Sequence, residues 1–318
     1  MQKVLVVGAL GQIGSELTNA LRNILGTESV IASDIRFRSK DTEDTGPFEI
    51  LDCTDIRALA EVVKKYNVDT IYHLAAILSA AAEEKPQFAW NVNIHGLYNV
   101  LEISREQKCR VFVPSSIAVF GPNTPRDNTP QDTIQRPTTI YGISKVSGEL
   151  LCDYFFQRFG VDARGVRYPG IISNKTLPGG GTTDYAVEIY YEAIKHKKYY
   201  CYLGPNTKLD MMYMPDAIKA SIKLMLADPS KLKHRNAFNI TSMSITPEDI
   251  AESIRKFIPE FQMQYRIDAM KQNIADSWPR KIDDTAAQVE WGWKPDYDLD
   301  TMTKDMIQKL SEKLEVEI

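Results

Sequence analysis

VLVVGALGQIG, residues 4–14, decides the fold of this chain. Four successive apolar residues predict a strand that is buried on both faces, and the glycines that follow stand where an amphipathic helix begins. Glycines at such a turn allow a tight bend and the close approach of a pyrophosphate, whose charge is stabilised by the free N–H groups of the helix N-terminus. The run therefore predicts a dinucleotide site built from Gly8, Gly11, Gln12, Ile13 and Gly14.

Asp34 supports this interpretation. It ends a second apolar run, twenty residues after Gly14. A carboxylate at that place accepts hydrogen bonds from the adenosine ribose and repels a 2'-phosphate, so NAD is the expected cofactor. Arg36 leaves NADP open, because an arginine there can bind a 2'-phosphate. Asp52 stands where a third strand would end beneath the adenine, but an aspartate in that place equally well starts a turn.

Short β-branched runs alternate with helical patterns over about the first 170 residues, which is typical of βαβ units. We expect strands at 3–7, 30–33, 70–75, 110–115 and 163–168, and helices at 12–23, 56–66, 86–106 and 138–159. The predicted fold class is α/β, a Rossmann-type doubly wound parallel sheet with a smaller C-terminal substrate-binding region.

Glycines and prolines become frequent after Tyr168 and predict loops there. Residues 210–214, with a helical pattern after them, are expected to return to the sheet. The predicted domains are therefore an NAD-binding domain at 1–172 with a return segment near 209–240, and a substrate-binding region at 173–208 and 241–318. The tail from Thr246 predicts helix, a short strand at 264–267 and a further helix from Thr301.

Tyr141 and Lys145 are four residues apart near the start of a predicted helix, which places them on one face. An adjacent ammonium is expected to stabilise a tyrosine phenolate and to bring the pKa of the phenol toward the working range of a base. Ser116 follows a predicted strand at the sheet edge where ligands of open α/β folds bind, and is expected to hold a substrate hydroxyl beside Tyr141; the alternative is a serine that merely caps a turn.

These segments together resemble the extended short-chain dehydrogenase/reductase superfamily. The resemblance covers nearly the whole chain and rests on residues 8–14, 73–76, Asn93 before Gly96, Ser115-Ser116 with 119–121, and 141–145. It implies catalysis by Ser116, Tyr141 and Lys145, with Lys145 also holding the nicotinamide ribose. Cofactor contacts are expected from Leu74, Ala75, Ala76, Asn93, Tyr141, Lys145 and Tyr168, besides the glycine turn, Asp34 and Asp52. His73 is then a strand-end residue and no metal ligand is expected.

Three further segments, at 167–173, 178–186 and 277–293, resemble the epimerase-like L-threonine 3-dehydrogenases. That branch implies oxidation of the threonine C3 hydroxyl to 2-amino-3-ketobutyrate. Asp184 is the expected partner of the substrate ammonium. Backbone N–H groups of the glycine run are expected to bind the carboxylate of the substrate. The other expected substrate contacts are Ser79, Ser116, Tyr141, Thr182, Thr183 and Trp278.

A sugar-nucleotide epimerase or dehydratase is the alternative, since Arg255, Arg266 and Arg280 leave a nucleoside diphosphate site open. A cofactor-binding protein without catalysis is less favoured because both Tyr141 and Lys145 are present. A zinc alcohol dehydrogenase needs clustered cysteine, histidine or glutamate ligands, whereas the four cysteines and four histidines are dispersed.

The net charge of −4 offers no basic surface for nucleic acid or an anionic membrane, and the apolar runs are too short for a membrane span. We expect a cytoplasmic enzyme with a small-molecule substrate and buried, inert thiols. The resemblance suggests a homodimer formed by the helices at 86–106 and 138–159.

Overall fold

Strands and helices alternate along the first half of the chain, as expected. The computed structural model describes residues 1–38, 46–175, 177, 179 and 181–316. Its strands are β1 (Val4–Val7), β2 (Val30–Asp34), β3 (Phe48–Ile50), β4 (Thr70–His73), β5 (Arg110–Phe112), β6 (Ser115–Ser116), β7 (Ala163–Arg164), β8 (Val166–Tyr168), β9 (Gly170–Ile172), β10 (Lys198–Cys201), β11 (Leu209–Tyr213), β12 (Phe238–Asn239), β13 (Met243–Ile245) and β14 (Gln262–Tyr265). Its α-helices are α1 (Gln12–Leu25), α2 (Ile56–Tyr66), α3 (Ser79–Glu84), α4 (Pro86–Trp90), α5 (Gly96–Gln107), α6 (Ile140–Phe159), α7 (Tyr185–His196), α8 (Met214–Leu226), α9 (Pro247–Arg255), α10 (Ala269–Ser277), α11 (Thr285–Trp291) and α12 (Leu299–Leu314).

Strand β1 lies inside a six-stranded sheet of order β3-β2-β1-β4-β5-β7, in which all neighbours are parallel. Val4 and Val6 project into one apolar core, while Leu5 and Val7 project into another on the opposite face. Helices α1 and α8 cover the first face, and α2, α5 and α6 cover the second. This double burial explains why β1 has no polar residue, and it confirms the predicted doubly wound α/β fold.

Two three-stranded sheets continue the architecture beyond the six strands. β8 lies between β6 and β12, and β11 lies between β9 and β13. The segment predicted to return to the sheet is β11, which pairs in parallel with β9 instead of with a strand of the six-stranded sheet. The predicted return to the main sheet is therefore wrong, because β11 belongs to the three-stranded sheet of β9 and β13.

A third apolar core fills the C-terminal part and contains side chains of α7, α9 and α12 together with residues 117–120. The strand and helices expected from Thr246 onward are present as α9, β14, α10, α11 and α12. No helix within the described ranges is both long and apolar enough to cross a membrane. All four cysteines are buried free thiols.

Several local features differ from the expected pattern. The strand predicted at 110–115 is divided into β5 and β6, and the strand predicted at 163–168 into β7 and β8, and the two parts of each lie in different sheets. The helix predicted at 86–106 is α4 and α5 joined by a π-helical turn at Asn91–His95. Residues 173–208, where the sequence predicts loops but no helix or strand, contain α7 and β10. The π turn places Asn93 in the interior, beside the loop after β4.

Candidate active site

A cleft of about 230 Å³ opens beside the carboxyl ends of β1 and β4, where ligands of open α/β sheets bind. It brings together most of the residues predicted from the sequence. These are Gly8, Gly11, Gln12, Ile13, Gly14, Leu74, Ala76, Ser79, Ser116, Tyr141, Lys145, Tyr168, Thr182, Thr183, Asp184 and Trp278. Asp34, Asp52, Ala75 and Asn93 lie outside its lining.

The glycine turn forms one end of the cleft, and two of its glycines are required by space. Gly8 has a φ of +89°, and a Cβ there would lie 2.7 Å from the backbone nitrogen of Ala75. A Cβ at Gly14 would lie 2.1 Å from the carbonyl oxygen of Gly8. Gly11 begins α1 without a side chain to cap the helix, so the N-terminal turn of α1 presents its backbone amides to the cleft. The turn therefore fits a pyrophosphate.

Asp34 lies beside this turn at the end of β2 and is 5% exposed. Its carboxylate accepts a hydrogen bond from the backbone N–H of Leu10 at 3.0 Å and pairs with Arg36 at 3.0 Å. Burial by itself raises the pKa of Asp34, but the hydrogen bonds from Arg36 and Leu10 outweigh it and keep the pKa below its ordinary value. A buried, ionised carboxylate beside the pyrophosphate turn is the group that a nicotinamide dinucleotide's ribose requires. Arg36, which left NADP open, is engaged with Asp34.

Asp52 has a different environment from Asp34. It is exposed, and its Oδ1 accepts hydrogen bonds from the backbone N–H and the hydroxyl of Thr54, both at 2.8 Å. This is the contact of an aspartate that starts a turn. A cofactor contact from Asp52 stays a prediction.

Asn93 supports the cleft from behind. Its amide oxygen accepts from the N–H of Ile77 at 2.8 Å, and its amide nitrogen donates to the Ile77 carbonyl and to Ser144, both at 3.1 Å. Ala75 packs against Gly8. These contacts fix the loop after β4, which carries the cleft residues Leu74 and Ala76.

Tyr141, Ser116 and Lys145 meet at the centre of the cleft. Thr139 caps α6 by accepting a hydrogen bond from the N–H of Gly142, so Tyr141 lies in the first turn. The Tyr141 hydroxyl is hydrogen bonded to Ser116. The Lys145 ammonium lies 5.6 Å from the centre of the Tyr141 ring and donates to the carbonyl oxygen of Pro114 at 2.8 Å. A phenol, a serine hydroxyl and an ammonium group thus share one wall of the cleft.

The electrostatics of this wall differ in one respect from expectation. Burial raises the pKa of Tyr141 to about 12, and the hydrogen bond with Ser116 only partly opposes that rise. Burial also lowers the pKa of Lys145 to about 8, against the opposing charge of Glu149. The expected lowering of the tyrosine pKa by Lys145 is therefore not found, because burial of the phenol dominates.

The lining of the cleft also includes the residues predicted for the substrate. The hydroxyls of Ser79 and Thr182, both buried, are 3.5 Å apart. Asp184 precedes α7, and its Oδ2 accepts the N–H of Gly181 at 2.8 Å, so this amide of the glycine run binds the loop itself and not a substrate carboxylate. Pro178 and Gly180, part of the same predicted run, lie outside the described residues. Trp278, 5% exposed, borders the cleft from the end of α10.

Other predicted residues have mainly supporting contacts. Tyr168 borders the cleft while its hydroxyl donates to the Ala217 carbonyl at 3.2 Å and contacts Ser221. His73 ends β4 and is 4% exposed. Within the ranges that the structure describes, no three histidine, cysteine, aspartate or glutamate side chains are grouped for a metal ion.

Several cleft residues were missed from the sequence. Gly170 is one, because a Cβ there would lie 2.3 Å from the Met211 sulfur and 3.0 Å from Thr183. The Pro169-Gly170 pair predicts a loop and belongs to segment 167–173 of the resemblance, but the sequence gives Gly170 no contact of its own in the site. Leu78 and Ile117 also border the cleft and carried no signal beyond their apolar character.

Known proteins are similar to this chain over most or all of its length. The sequence profile of the NAD dependent epimerase/dehydratase family matches residues 4–241. An uncharacterized epimerase/dehydratase of Staphylococcus saprophyticus is 51% identical, and the alignment covers 100% of both chains. The L-threonine dehydrogenase of Clostridium difficile is 59% identical, with a TM-score of 0.96 and 98% of each chain covered. A monomeric L-threonine 3-dehydrogenase from a metagenome is 45% identical, with a TM-score of 0.94, 98% of this chain and 99% of that chain covered.

The predicted family and cofactor are thereby confirmed, and the glycine turn and Asp34 are the residues that fit the dinucleotide. The chain belongs to the NAD-dependent epimerase/dehydratase family of the extended short-chain dehydrogenase/reductase superfamily, and NAD is its cofactor.

Proposed function

We propose that this enzyme oxidises L-threonine at C3 to 2-amino-3-ketobutyrate. The observation that carries the proposal is one small cleft that combines Tyr141, Ser116 and Lys145 with the carboxylate of Asp184 and a cluster of hydroxyl groups. The structural relatives described as L-threonine dehydrogenases, at 59% and 45% identity over nearly the full chain, support the same substrate.

The other polar side chains of the cleft suit the two charged groups of an amino acid. Asp184 offers a carboxylate to the substrate ammonium. The 3.5 Å between the hydroxyls of Ser79 and Thr182 exceeds a strong O–H···O hydrogen bond, so both can turn toward a substrate carboxylate. Thr183 adds a third hydroxyl on the same loop, and Trp278 bounds the space for the substrate methyl group.

The residues of the central wall then handle the C3 hydroxyl. When bound, NAD⁺ supplies the hydride acceptor and brings a positively charged nicotinamide ring into the cleft. Ser116 orients the hydroxyl, and Tyr141 as phenolate takes its proton. Because the pKa of Tyr141 is about 12 without ligands, nearby positive charge must lower it before the tyrosine acts as a base at neutral pH. Lys145 provides one such charge from the same helix.

The positions of three arginines argue against a sugar-nucleotide substrate. Arg255 pairs with Glu248 at 2.8 Å, Arg280 pairs with Asp127, and Arg266 stacks on the Tyr200 ring at 4.0 Å. None of the three borders the cleft. A nucleoside diphosphate bound in the cleft would therefore not contact any of these three arginines.

The absorbance of NADH at ~340 nm tests the proposal, with NAD⁺ supplied together with either L-threonine or UDP-glucose. We expect threonine-dependent NADH formation and none with UDP-glucose. Conversion of UDP-glucose without net NADH would favour an epimerase. NAD binding without turnover of any hydroxy amino acid would favour a protein that kept the fold and lost catalysis.

A homodimer formed through α5 and α6 remains part of the proposal. Ile143, Leu150 and Tyr154 form an exposed apolar row on α6, at 42%, 61% and 53% exposure, and Tyr98 on α5 is 44% exposed. A row of this kind on neighbouring helices is typical of an interface. We expect light scattering to give twice the chain mass, and Leu150→Arg to give the chain mass. A wild-type monomer, as the metagenome relative is described, would contradict this assembly.

A further inference from the structure

Glu149 and Arg167 form a buried ion pair near the catalytic wall, the part of the cleft lining that carries Tyr141, Ser116 and Lys145. Glu149 stands on α6 four residues after Lys145, and Arg167 on β8 donates to both of its carboxylate oxygens, at 2.9 and 2.8 Å. The side chains of Glu149 and Arg167 are 6% and 7% exposed. Gln135 donates to the same carboxylate at 2.7 Å, and the Ser115 hydroxyl also donates to it. Four hydrogen bonds thus hold one negative charge in the interior.

Stability is a weak explanation for this arrangement. Removing two opposite charges from water costs about as much as their attraction returns, and well-packed apolar residues commonly stabilise such a site equally well. The partners of Glu149 also adjoin the cleft in sequence. Ser115 precedes Ser116, and Arg167 precedes Tyr168. The pair is therefore tied to the elements that carry the site.

Glu149 and Lys145 border the same internal cavity, which has a volume of about 20 Å³. This space suits about one water molecule, and its lining is polar enough to bind it. His73 reaches the cavity from β4, and within the described part of the chain its Nδ1 has no hydrogen-bond partner. The ammonium and the carboxylate therefore belong to residues that line one small polar space.

The backbone that closes the cavity is strained. Asn236 borders it and donates to the Glu149 carbonyl at 3.4 Å and to the Asp153 carboxylate. Its neighbours Arg235 and Ala237 have φ values of 55° and 59°, a region that residues other than glycine seldom adopt. Such strain persists where the surrounding structure imposes it, often next to a functional site.

The groups that face Lys145 leave Glu149 as its counter-charge. On α6, Tyr141 is a neutral phenol, and burial raises the pKa of the Cys152 thiol above its ordinary value, so it too is neutral. On β4, burial lowers the pKa of His73 to about 3, which leaves the imidazole uncharged. Between β5 and β6, the carbonyl oxygen of Pro114 accepts a hydrogen bond from the Lys145 ammonium.

Two other charges lie further away. Arg167 on β8 contacts Glu149 but does not border the cavity, and the carboxylate of Asp153 is directed to Asn236. Among the described residues that line the cavity, Glu149 is thus the one acidic side chain opposite Lys145.

We propose that Glu149 is a positioning residue that keeps Lys145 protonated, and that Arg167 and Ser115 hold its carboxylate toward the cavity. The idea rests on the proposed function, since it concerns the charge that Lys145 contributes to the reaction. Burial lowers the pKa of Lys145 and so favours loss of its proton, and the fixed carboxylate counteracts this loss.

Glu149→Gln tests the proposal because it removes the charge and keeps the shape. The primary readout is the pKa of Lys145, measured by NMR on protein with ¹³C-labelled lysine, with Lys145→Met to assign the signal. We expect the variant's lysine pKa to fall by about one unit or more, since it loses an opposite charge and Arg167 loses its partner. The pH profile of kcat/KM for threonine should move with it, because the limb that Lys145 sets is displaced to lower pH.

Two variants serve as controls. Asp153→Asn removes a carboxylate one turn further along α6, and we expect both the lysine pKa and the pH profile to stay as in the wild type. Glu149→Asp keeps the charge and should keep the lysine pKa within a few tenths of a unit, even if turnover falls. If Glu149→Gln alone does not fold, Glu149→Gln with Arg167→Met leaves no unpaired charge, and a smaller fall of the lysine pKa is still expected.

Two results together would overturn the proposal and leave Glu149 a purely structural role. These are an unchanged Lys145 pKa in folded Glu149→Gln and a turnover that is reduced equally at every pH. An equal shift in Asp153→Asn would also overturn it, because any carboxylate on the helix would then suffice. If the wild type does not oxidise threonine but the NMR shift is as expected, the proposed function fails while the assignment of Glu149 stands.

Discussion

Gly8→Ala should weaken NAD binding far more than its effect on stability alone would suggest. A Cβ at Gly8 meets the backbone nitrogen of Ala75 at 2.7 Å, well inside normal van der Waals contact. The Leu74–Ala75 backbone would have to move by about 0.5 Å or more, and the Leu74 N–H is hydrogen bonded to the Val7 carbonyl at 2.8 Å. The displaced segment carries cleft residues, so the strain reaches the cofactor site.

Gly160→Ala is the matched control. Gly160 ends α6 with a φ of +72°, and among the described residues no atom lies within 4 Å of where its Cβ would be. Both variants bear the cost of a positive φ, roughly 1–2 kcal/mol, but only Gly8→Ala adds a backbone clash. We expect a loss of unfolding free energy of about 1 kcal/mol for Gly160→Ala and about 2–4 kcal/mol for Gly8→Ala.

Urea unfolding measures the loss of unfolding free energy, and calorimetric titration measures NAD affinity. Both experiments are run well below the unfolding temperatures. We expect NAD affinity to fall at least about tenfold in Gly8→Ala, equivalent to about 1.4 kcal/mol, and to stay near wild type in Gly160→Ala. Wild-type affinity in Gly8→Ala would refute the idea that this turn forms the dinucleotide site. Equal losses in both variants would attribute the effect to general destabilisation.

Three further outcomes follow from the site. Tyr141→Phe should lower turnover about 100-fold or more with NAD affinity nearly intact, as steady-state kinetics and calorimetry would reveal; near-normal turnover would remove Tyr141 from the role of base. Asp184→Ala should raise KM for threonine far more than KM for NAD, and equal effects would count against recognition of the amino group. Because a cation lowers the pKa of a neighbouring phenol, NAD⁺ binding at mildly alkaline pH should release more protons in the wild type than in Tyr141→Phe. Calorimetry in buffers of different ionisation enthalpy measures this release. Identical release in the two proteins would show that the cofactor leaves the Tyr141 pKa of about 12 unchanged.

The nucleotide half could be predicted because its signals are local. The apolar run of β1 is buried on both faces of the sheet, and the glycines of the turn are required by contacts within a few residues or with the adjacent strand. The predicted helix at 56–66 has the bounds of α2, where Asp55 caps the first turn and Asn67 ends the last in a left-handed conformation. Local chemistry of this kind is visible in the sequence.

Features that depend on distant partners could not be predicted. The π turn at Asn91–His95 leaves no mark in the apolar pattern, because it only accommodates Asn93 against Ile77 and Ser144. Strand β11 resembles a strand of the main sheet, and only its pairing with β9 shows otherwise. Helix α7 follows a glycine-rich stretch that favoured loops, and its side chains are fixed by the C-terminal core.

The electrostatic environment of the catalytic wall was the hardest part to predict. Tyr141 and Lys145 are a visible pair, but the burial that raises one pKa and lowers the other is a tertiary effect. Glu149 continues the same helical spacing and looks like a surface residue in the sequence. Its partner Arg167 lies on strand β8, so the burial and charge pairing of Glu149 appear only in the folded chain.

Transfer of deuterium from C3 of L-threonine to the cofactor tests the central claim most directly. Wild-type enzyme, NAD⁺ and L-threonine deuterated at C3 should yield reduced cofactor that carries one deuterium per turnover, as mass spectrometry would show, together with 2-amino-3-ketobutyrate. Unlabelled reduced cofactor, or no reduction of NAD⁺ at all, would contradict oxidation at C3.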